Sequence, residues 1–443
     1  MSDKPVSPRE ARRLLRLKEG SRARRDVAPG KVARPKPPPR RPAPVLGELG
    51  AASDEPTVQI VRHGLDRLDA GHVWVYQTDV AAPTTLAGGE VVRIVDERGW
   101  FVGKAFYGAE SQIALRLLTR EDEPIDEEFF RRRLEQARAL REVVQPDPER
   151  RRAGRLVHAE ADRLPGLVVD RYADVLSVQT PIEATDARRE MFARLLEEIW
   201  SPRAIVERND GRTRAHEGLE PRKGMLRGEP PGRVEFLEGE VRLVADPLEG
   251  QKTGAFLDQA ENRVAAGVYA HGRALDCFTY GGAFALQLAR RAERVTAVDI
   301  SEAAAAQARE AAARNGQGNV EVVVANAFDF LRAQADKGER YDTVVLDPPA
   351  FAKTRGTLEA ATRGYKEINL RAFHLLSPGG VLVSCSCSSH VDEAAFERIV
   401  LSAAADARRT VQIVEKRGAS KDHPALLGVP ETRYLKCLVL RVL

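Results

Sequence analysis

The chain has 443 residues, of which 43% are hydrophobic and 30% charged, and its mean hydropathy is −0.36. No apolar run approaches the roughly 18 residues of a membrane span, so an integral membrane protein is excluded, and the length suits two or three domains. Four cysteines without a Cys-x-x-Cys pair argue against a disulfide framework, an iron–sulfur cluster and a cysteine-rich zinc site, so we expect a reduced, cytoplasmic protein and no metal is implied.

Positive charge is concentrated at the N-terminus. Residues 1–45 hold 14 Lys and Arg against 4 Asp and Glu, a net charge of +10, whereas the remainder of the chain has a net charge of −6. Such a proline-rich stretch cannot bury enough apolar surface to offset its ordering entropy. We predict a disordered basic tail over residues 1–55, with a short helical pattern at Arg9–Lys18. The tail is either an arm attracted to polyanions or a solvated extension without a target.

Order is predicted to begin near Val58, where short β-type runs alternate with turn signals. These runs are Val58–Val61, Val73–Tyr76, Val91–Val95, Trp100–Tyr107 and Ile113–Leu118. Five or six short strands predict a small β-barrel over residues 56–125. Arg and Lys punctuate the strands as in an RNA-binding module, although solvated strand faces have the same appearance.

A second block over residues 126–245 mixes helical and strand patterns. Its predicted elements are the helices Phe129–Val144 and Asp186–Trp200, the strand Ala204–Val206 and the strand pairs within Leu164–Val178 and Val234–Val244. The Gly-, Arg- and Glu-rich residues 211–232 are predicted to be a loop. We expect a small central α/β domain.

Residues 246–443 show the regular β-α alternation of a doubly wound parallel sheet, so the fold class is α/β. The predicted strands are Ala274–Phe278, Arg294–Val298, Val320–Ala325, Thr343–Leu346 and Val381–Ser384. The clearest helix is Ser301–Asn315, which has an N-cap serine and is followed by Gly316.

Polar and small residues follow three of these strands. The first strand runs into a turn at Gly281 and Gly282, which lets the backbone pass close to a ligand at a helix N-terminus. Asp299 ends the second strand, 17 residues after Gly282, where an acidic residue typically accepts hydrogen bonds from ribose. Asn326 and Phe328 follow the third strand and suit adenine. The three strand ends together predict a nucleoside-binding crevice rather than a generic β-α turn.

The fourth strand ends in Asp347-Pro-Pro-Ala-Phe351. Pro348 and Pro349 stiffen the backbone, so Asp347 and Phe351 are presented at the carboxyl edge of the sheet, where they suit a flat heterocycle. The fifth strand ends in Ser384-Cys-Ser-Cys-Ser-Ser-His390. Two cysteines among serines that face a ligand crevice weaken the usual interpretation of a lone cysteine as core.

Asp347-Pro-Pro-Ala-Phe351 followed by Ser386-Cys387-Ser388 resembles the class I S-adenosylmethionine (SAM)-dependent RNA methyltransferases that make 5-methylcytosine, above all the bacterial 23S rRNA cytosine methyltransferases with an N-terminal PUA domain. The resemblance covers roughly Val58 to Leu443. Its other landmarks are Trp74–Tyr76, Ser111–Ile113, Leu164–Tyr172, Gly250–Gln259, Asp422–Pro424 and Tyr434–Lys436. It implies a PUA-like domain, a connector domain and a Rossmann-like SAM-binding domain, with RNA as the partner, 23S rRNA in particular.

The resemblance also implies site residues. Cys387 matches the family's nucleophile, with Cys385 as an additional candidate, and we assign Asp347 to N3 of the base. The implied cofactor residues are Asp276, Phe278, Thr279, Tyr280, Gly281, Gly282, Asp299, Ile300, Asn326, Phe328, Asp258 and Gln259, with Gln251 and Lys252 bordering the cofactor. The implied substrate residues are Pro348, Pro349, Phe351 and Lys353. The family often has Asp where this chain has Asn326, whose amide still offers an acceptor oxygen.

The implied chemistry needs a thiolate. Carbon 5 of cytosine is a poor nucleophile until a thiolate adds to carbon 6. A free thiol has a pKa of about 8.5, so it must be shifted to ionise at neutral pH; Lys353 or Arg355 could help, or could hold RNA phosphate. Cys277 and Cys437 are expected in the core, and His423 is expected to be a loop hydrogen-bonding residue rather than a base.

Several alternatives stay open. A uracil carbon-5 methyltransferase uses the same thiolate chemistry but usually shows Ser-Cys-Asn-Pro, and an N-methyltransferase needs no cysteine. A catalytically silent RNA-binding ribosome-assembly factor could retain the fold. The target nucleotide, the base that removes the carbon-5 proton and the oligomeric state, a homodimer included, are not fixed by the sequence.

Overall fold

The computed structural model describes residues 55–82, 85–352, 356 and 358–443. Glu55–Leu443 form one compact unit. The basic tail with its Arg9–Lys18 pattern, and also Lys353 and Arg355, lie outside the described residues. Within the described part of the chain, no helix is long and apolar enough to cross a membrane.

The first sheet covers the segment in which five short strands are predicted. Its elements are β1 (Thr57–Gln59), α1 (Arg62–Asp69), β2 (Trp74–Tyr76), β3 (Val91–Val95), β4 (Phe101–Tyr107) and β5 (Ile113–Thr119). The strand order is β1-β3-β4-β5-β2, with β1 and β3 parallel and the other pairs antiparallel. The five predicted strands are confirmed. Helix α1 was not predicted, because its eight residues carry only two leucines, of which Leu68 is buried.

A second five-stranded sheet has the order β10-β9-β8-β7-β6. Its segment contains α2 (Glu127–Val144), β6 (Ala153–His158), β7 (Val168–Tyr172), β8 (Val175–Gln179), α3 (Glu183–Ala187), α4 (Arg189–Trp200), β9 (Ala204–Asn209) and β10 (Arg222–Arg227), followed by the hairpin β11 (Val234–Glu238) and β12 (Val241–Ala245). The parallel pair β8–β9 is joined by a crossover connection that contains α3 and α4. The single predicted helix Asp186–Trp200 is therefore two helices that meet at Arg188.

The prediction of a loop over residues 211–232 is wrong. This segment holds a 3-10 helix, Arg212–Glu217, and strand β10, which pairs antiparallel with β9. Strand β10 is the edge strand of its sheet and is rich in charged residues, as is common at exposed edges. It therefore lacks the apolar alternation that reveals a half-buried strand; the Arg222 guanidinium instead pairs with Glu207 of β9.

The third sheet is the largest. Its strands are β13 (Arg273–Cys277), β14 (Arg294–Asp299), β15 (Val320–Val324), β16 (Tyr341–Leu346), β17 (Leu376–Ser386), β18 (Val411–Arg417) and β19 (Lys436–Val442). The helices are α5 (Ala260–Tyr269), α6 (Ala283–Ala289), α7 (Glu302–Arg314), α8 (Ala327–Asp336), α9 (Leu358–Leu375) and α10 (Glu393–Asp406). The order is β15-β14-β13-β16-β17-β19-β18, in which β19 runs antiparallel to both of its neighbours.

This order places a topological switch point between β13 and β16, at the carboxyl ends of the parallel strands. From β13 the chain moves outwards to β14 and β15 and then returns to the other side at β16, and ligands bind at such switch points. Both faces of the sheet are covered by helices: Leu275 and Leu382 pack towards one apolar cluster, Val345 and Val383 towards the other. Strands β18 and β19 were not predicted, whereas the five parallel strands are confirmed.

Candidate active site

The turn after β13 has an unusual backbone. Phe278, Tyr280 and Gly282 all have positive φ, at +67°, +50° and +85°. Non-glycine residues rarely adopt this region, and such strain is concentrated at functional sites. The Asp299 carboxylate accepts hydrogen bonds from the backbone N–H groups of Tyr280 and Ser301, both at 2.9 Å. Asp299 therefore holds the turn in place while remaining partly exposed at the end of β14.

Asp276 is the fourth residue of β13, just before this turn, and is fully buried. Its Oδ2 accepts hydrogen bonds from the Thr279 hydroxyl at 2.5 Å and the Ala285 backbone N–H at 2.9 Å, while its Oδ1 is buried with no partner. Burial, reinforced by the nearby Asp347 carboxylate, raises the pKa of Asp276 to about 7. A buried carboxylate oxygen that lacks a donor is suited to a cationic group of a ligand.

An aromatic row borders the ends of β13 and β15. The Phe328 ring lies 6.3 Å from that of Phe278 and 5.8 Å from that of Phe351. Asn326 caps α8, since its Oδ1 accepts from the backbone N–H groups of Phe328 at 2.9 Å and Asp329 at 3.4 Å. The oxygen that the sequence assigns to adenine is thus already engaged in the helix cap.

The remaining predicted cofactor residues lie around the same turn. Gly281 is half-buried, and a Cβ added to it would meet only the Gln307 side chain, at 3.8 Å. Ile300 follows Asp299 and is 69% exposed. An exposed isoleucine just after β14 offers apolar surface to a ligand.

Asp347 stands at the end of β16. The Gln259 side chain donates from Nε2 to Asp347 Oδ1 at 2.8 Å, and Gln259 Oε1 accepts from Asn262 Nδ2 at 2.6 Å. Burial and the neighbouring Asp258 carboxylate raise the pKa of Asp347 to about 6. Asp347 therefore retains a proton in part of the population near neutral pH and can donate it to a base.

Asp258 anchors the loop that precedes α5. Its Oδ2 accepts hydrogen bonds from Lys252 Nζ and from the Tyr434 hydroxyl, each at 2.8 Å, while its Oδ1 is buried without a partner. Burial alone would raise the pKa of Asp258, but the Lys252 ammonium and His423 hold it below its ordinary value. The loop residues of the Gly250–Gln259 motif are thus tied to the C-terminal segment.

The strand that carries the cysteines alternates between two environments. Ser384 donates to Asn369 Oδ1 at 2.8 Å, and Ser388 contacts the Tyr365 hydroxyl at 2.9 Å, so the serines face α9. Cys385 is fully buried opposite Cys437 of β19. The predicted core placement of Cys277 and Cys437 is confirmed.

Cys387 is the first residue after β17, and its Sγ lies 4.0 Å from the carbonyl oxygen of Pro348. All four cysteines belong to the described residues, and Cys387 alone is partly exposed. Burial and the Asp347 carboxylate raise the pKa of the Cys387 thiol. The structure therefore brings Cys387 and Asp347 together at one edge of the sheet.

Phe351 packs between Phe328 and Tyr365. Its ring centroid is 4.7 Å from that of Tyr365, and it also contacts Phe328. Packing therefore occupies part of the ring that the sequence assigns to the substrate base. Pro348 is buried and Pro349 exposed.

Sequence reasoning missed the role of the C-terminal strand at this site. The residue Lys436 is 5% exposed, and its ammonium group donates to the carbonyl oxygens of Ser388 and Tyr434, both at 2.7 Å. The sequence shows the Tyr434–Lys436 motif but gives no pattern for β19, the strand that fixes the position of Lys436. His423 hydrogen-bonds to Asp422 at 2.7 Å, in agreement with the predicted loop role. In the described ranges, no group of His, Cys, Asp and Glu could hold a metal ion.

Comparison with known proteins gives two family matches. Residues 58–120 match a PUA-like domain, and residues 165–441 match the S-adenosylmethionine-dependent methyltransferases. A curated relative from Shewanella denitrificans, named ribosomal RNA large subunit methyltransferase I, is 38% identical over 85% of this chain and 96% of its own length. Relatives of the same name from Tolumonas auensis (40% identical, over 84% of this chain and 96% of the relative) and Vibrio cholerae (36%, over 88% and 100%) also match.

Solved structures share the fold. A SAM-dependent methyltransferase from Streptococcus mutans superposes with a TM-score of 0.74 over 87% of this chain and 100% of its own, at 18% identity. A methyltransferase complexed with SAH gives a TM-score of 0.76 at the same coverage and identity. At this identity the likeness concerns the fold alone.

Proposed function

The chain belongs to the S-adenosylmethionine-dependent methyltransferase family, within the group named ribosomal RNA large subunit methyltransferase I, and from this membership we propose that it methylates carbon 5 of a cytosine in large-subunit ribosomal RNA. Its fold is a Rossmann-like methyltransferase domain preceded by a PUA-like domain. The cofactor is S-adenosylmethionine.

The residues of the strand-end turn fit this cofactor. Asp276 Oδ1 is a buried acceptor without a donor, as the ammonium of a methionine moiety would require. The partly exposed Asp299 carboxylate suits ribose hydroxyls, and the half-buried Phe328 ring suits stacking with a purine. Bound SAM supplies an electrophilic methyl group.

The observation that carries the proposal is the placement of Cys387. It is the one partly exposed cysteine of the chain, all four cysteines being described, and it lies against the Asp347–Pro348 segment at the edge where the cofactor residues converge. An N-methyltransferase has no use for a thiol at this position. A thiol beside a carboxyl group whose pKa burial raises to about 6 suits addition to a pyrimidine, because that group can both hold and donate a proton.

The proposed chemistry begins with loss of the Cys387 proton. The thiolate forms a bond to carbon 6 of the base, and the displaced electron pair is stabilised because Asp347 donates a proton to N3. Carbon 5 is thereby nucleophilic and takes the methyl group, with S-adenosylhomocysteine as the leaving group. Loss of the carbon-5 proton to a base and return of the N3 proton to Asp347 then restore the double bond between carbons 5 and 6, break the bond from sulfur to carbon 6 and release Cys387 as thiolate.

RNA as the substrate class is supported by two features. The curated relatives are named for the RNA of the large ribosomal subunit, and their match covers both the PUA-like segment and the methyltransferase segment. The proposed site of action is the cytoplasm, where this RNA is assembled into ribosomes.

The proposal is tested by mapping 5-methylcytosine in ribosomal RNA, by bisulfite sequencing and mass spectrometry, from cells with and without the gene. We expect one cytosine of the large-subunit RNA to lose its methyl group and to regain it when the wild-type gene, but not Cys387→Ser, is supplied. If no cytosine changes, the proposal is wrong. A change at a uracil instead would identify the uracil carbon-5 alternative, and cofactor binding without any change in RNA would identify an assembly factor.

A further inference from the structure

Lys436 carries a buried positive charge that the chemistry above does not use. The side chain projects from the first residue of β19 and is 5% exposed. Transfer of an ammonium group from water to a protein interior costs several kcal/mol unless an anion compensates it. We infer that Lys436 is the counter-ion of the Cys387 thiolate and thereby a positioning residue for the nucleophile; this inference rests on the proposed function.

The strand register brings Lys436 next to the nucleophile. Lys436 pairs with Ser386 across the β17–β19 ladder, and its Nζ donates at 2.7 Å to the carbonyl oxygen of Ser388. These two serines are the immediate chain neighbours of Cys387. The second acceptor, the carbonyl oxygen of Tyr434, also lies 2.7 Å from Nζ. An ammonium group has three N–H donors, so one remains for a further partner.

No carboxylate compensates this charge. Within the part of the chain that the structure describes, Lys436 forms no ion pair at 4.0 Å or less. Burial lowers the pKa of Lys436 to about 8, and ionised Cys387 and then Asp392 act in the opposite direction. Asp392 already accepts the cap hydrogen bond of α10 from Ala395 at 2.7 Å. The Cys387 thiolate is therefore the anion that matches the buried ammonium.

Lys252 is the competing cation at this site. Its Nζ already binds Asp258 at 2.8 Å and lies 4.5 Å from the centre of the Phe256 ring, and the side chain is 42% exposed. Its charge is thus largely neutralised and screened. The Lys252 ammonium does lower the pKa of Cys387, but Asp347 and Asp258 raise it. An additional, uncompensated cation is needed for a thiolate, and Lys436 supplies one.

The titratable groups around Cys387 come from several elements. They are Lys436 of β19, Asp347 after β16, Asp258 and Lys252 of the loop before α5, Tyr365 of α9 and Asp392 at the start of α10. Tyr365 is held neutral near physiological pH, because burial raises its pKa. Lys436 is thus the cation of this set that no carboxylate neutralises.

The test measures the ionisation of Cys387 directly in the full-length protein. The rate of iodoacetamide alkylation at Cys387 is followed by peptide mass spectrometry from pH 6 to 10, since only the thiolate reacts. Lys436→Gln keeps two N–H donors for the two carbonyl oxygens and removes the charge, whereas Lys436→Arg keeps the charge. Lys416→Met, which removes an exposed lysine paired with Glu397, is the matched control.

We expect the alkylation midpoint of Lys436→Gln to rise by about one pH unit, a roughly tenfold loss of thiolate below the midpoint. Lys436→Arg and Lys416→Met should stay close to wild type. An unchanged midpoint in Lys436→Gln overturns the inference, whatever happens to thermal stability, because a purely structural role would lower the melting temperature without moving the midpoint. Should Lys436→Gln fold poorly, the arginine variant decides: an upward shift in it overturns the inference.

Alkylation needs no RNA, so this result is separate from the proposed function. A shifted midpoint with no cytosine methylation would leave the ion pair standing and remove the proposed substrate. Methylation of a cytosine together with an unshifted alkylation midpoint would support the proposed function and overturn the pairing of Lys436 with Cys387.

Discussion

Gln259 Nε2 donates a hydrogen bond of 2.8 Å to Asp347 Oδ1. The amide is oriented by Asn262, which donates to Gln259 Oε1 at 2.6 Å, so Asp347 Oδ1 always faces a donor. A proton on Asp347 therefore resides on Oδ2, the oxygen that remains for the substrate. This relationship links the loop before α5 to the strand end that carries the proposed acid.

Replacement of Asp347 by Asn separates two effects of its carboxyl group: donation of a proton to the base, and the increase in the pKa of Cys387. We expect Asp347→Asn to lower methylation by about 100-fold, because loss of a positioned proton donor typically costs 10²–10⁴ in rate. The same variant should alkylate faster at Cys387, because the Asp347 carboxylate raises the pKa of that thiol. Single-turnover methylation and the alkylation profile are the measurements; wild-type turnover in Asp347→Asn would remove its assignment as the acid.

Cofactor binding should weaken as the pH falls. The free protein has a pKa of about 7 at Asp276, because burial disfavours its charge. A cationic group on the ligand prefers the carboxylate, so protonation below pH 7 removes its partner and affinity falls by up to about tenfold per pH unit. Calorimetry between pH 5.5 and 8.5 should show this dependence in wild type and a flat, weaker profile in Asp276→Asn. A flat profile in wild type would contradict the role of Asp276.

The sequence alone predicted the crevice because parallel strands are buried on both faces and read as short apolar runs, with their polar residues at the carboxyl ends. Asp299 and Asp347 are located by this rule without any knowledge of contacts. The burial of Asp276 and the pairing of Gln259 with Asp347 depend on segments far apart in the chain, and local patterns do not reveal such contacts.

The positions of the C-terminal strands could not be predicted from local sequence patterns. Strand β19 inserts between β17 and β18 although it comes last in the chain, so the position of Lys436 beside Cys387 follows from topology rather than from spacing. Asn326 carries a local signal for its observed role, since Asn is a favoured N-cap residue and its Oδ1 caps α8. The charged edge strand β10 carries no local sequence signal of this kind.

Loss of Asp299 should weaken the cofactor complex. A charge-assisted hydrogen bond to ribose is worth about 1.5–3 kcal/mol, and Asp299 also holds the backbone of Tyr280 in the strained turn. Calorimetry should therefore show that the dissociation constant of Asp299→Ala for the cofactor is at least about tenfold larger than that of wild type. Glu321→Ala, an exposed position on β15 paired with Arg294, is the control. Equal affinities in wild type and Asp299→Ala would contradict the assignment.

The N-terminal residues should contribute to RNA affinity without selecting the site. Residues 1–45 carry a net charge of +10, so each phosphate contact that they make should add about 0.7 to the slope of log K against log salt on single-stranded RNA. Full-length protein is compared with a chain starting at residue 56 in titrations at several salt concentrations. Identical slopes would show that the tail makes no contact with RNA.

The assignment of the nucleophile is the most direct test of the proposed reaction. Cys387 lies just beyond β17 and is partly exposed, whereas Cys385 is fully buried and faces Cys437 across the ladder. The hydrogen bond with Cys437 and then burial also raise the pKa of Cys385 well above that of a free thiol. Cys385 is therefore both inaccessible and reluctant to ionise.

RNA with 5-fluorocytosine at the target position should trap the reaction, because fluorine replaces the carbon-5 proton whose loss releases the enzyme. We expect a covalent protein–RNA adduct with wild type and with Cys385→Ser, and none with Cys387→Ser, which should still bind SAM because its side chain is not among the cofactor residues. Gel shift under denaturing conditions and peptide mapping identify the attached residue. An adduct that persists in Cys387→Ser and disappears in Cys385→Ser would reverse the two roles. If wild type forms no adduct on an RNA that it demonstrably methylates, carbon 6 is not attacked by a thiolate, and the placement of Cys387 beside Asp347 needs another explanation.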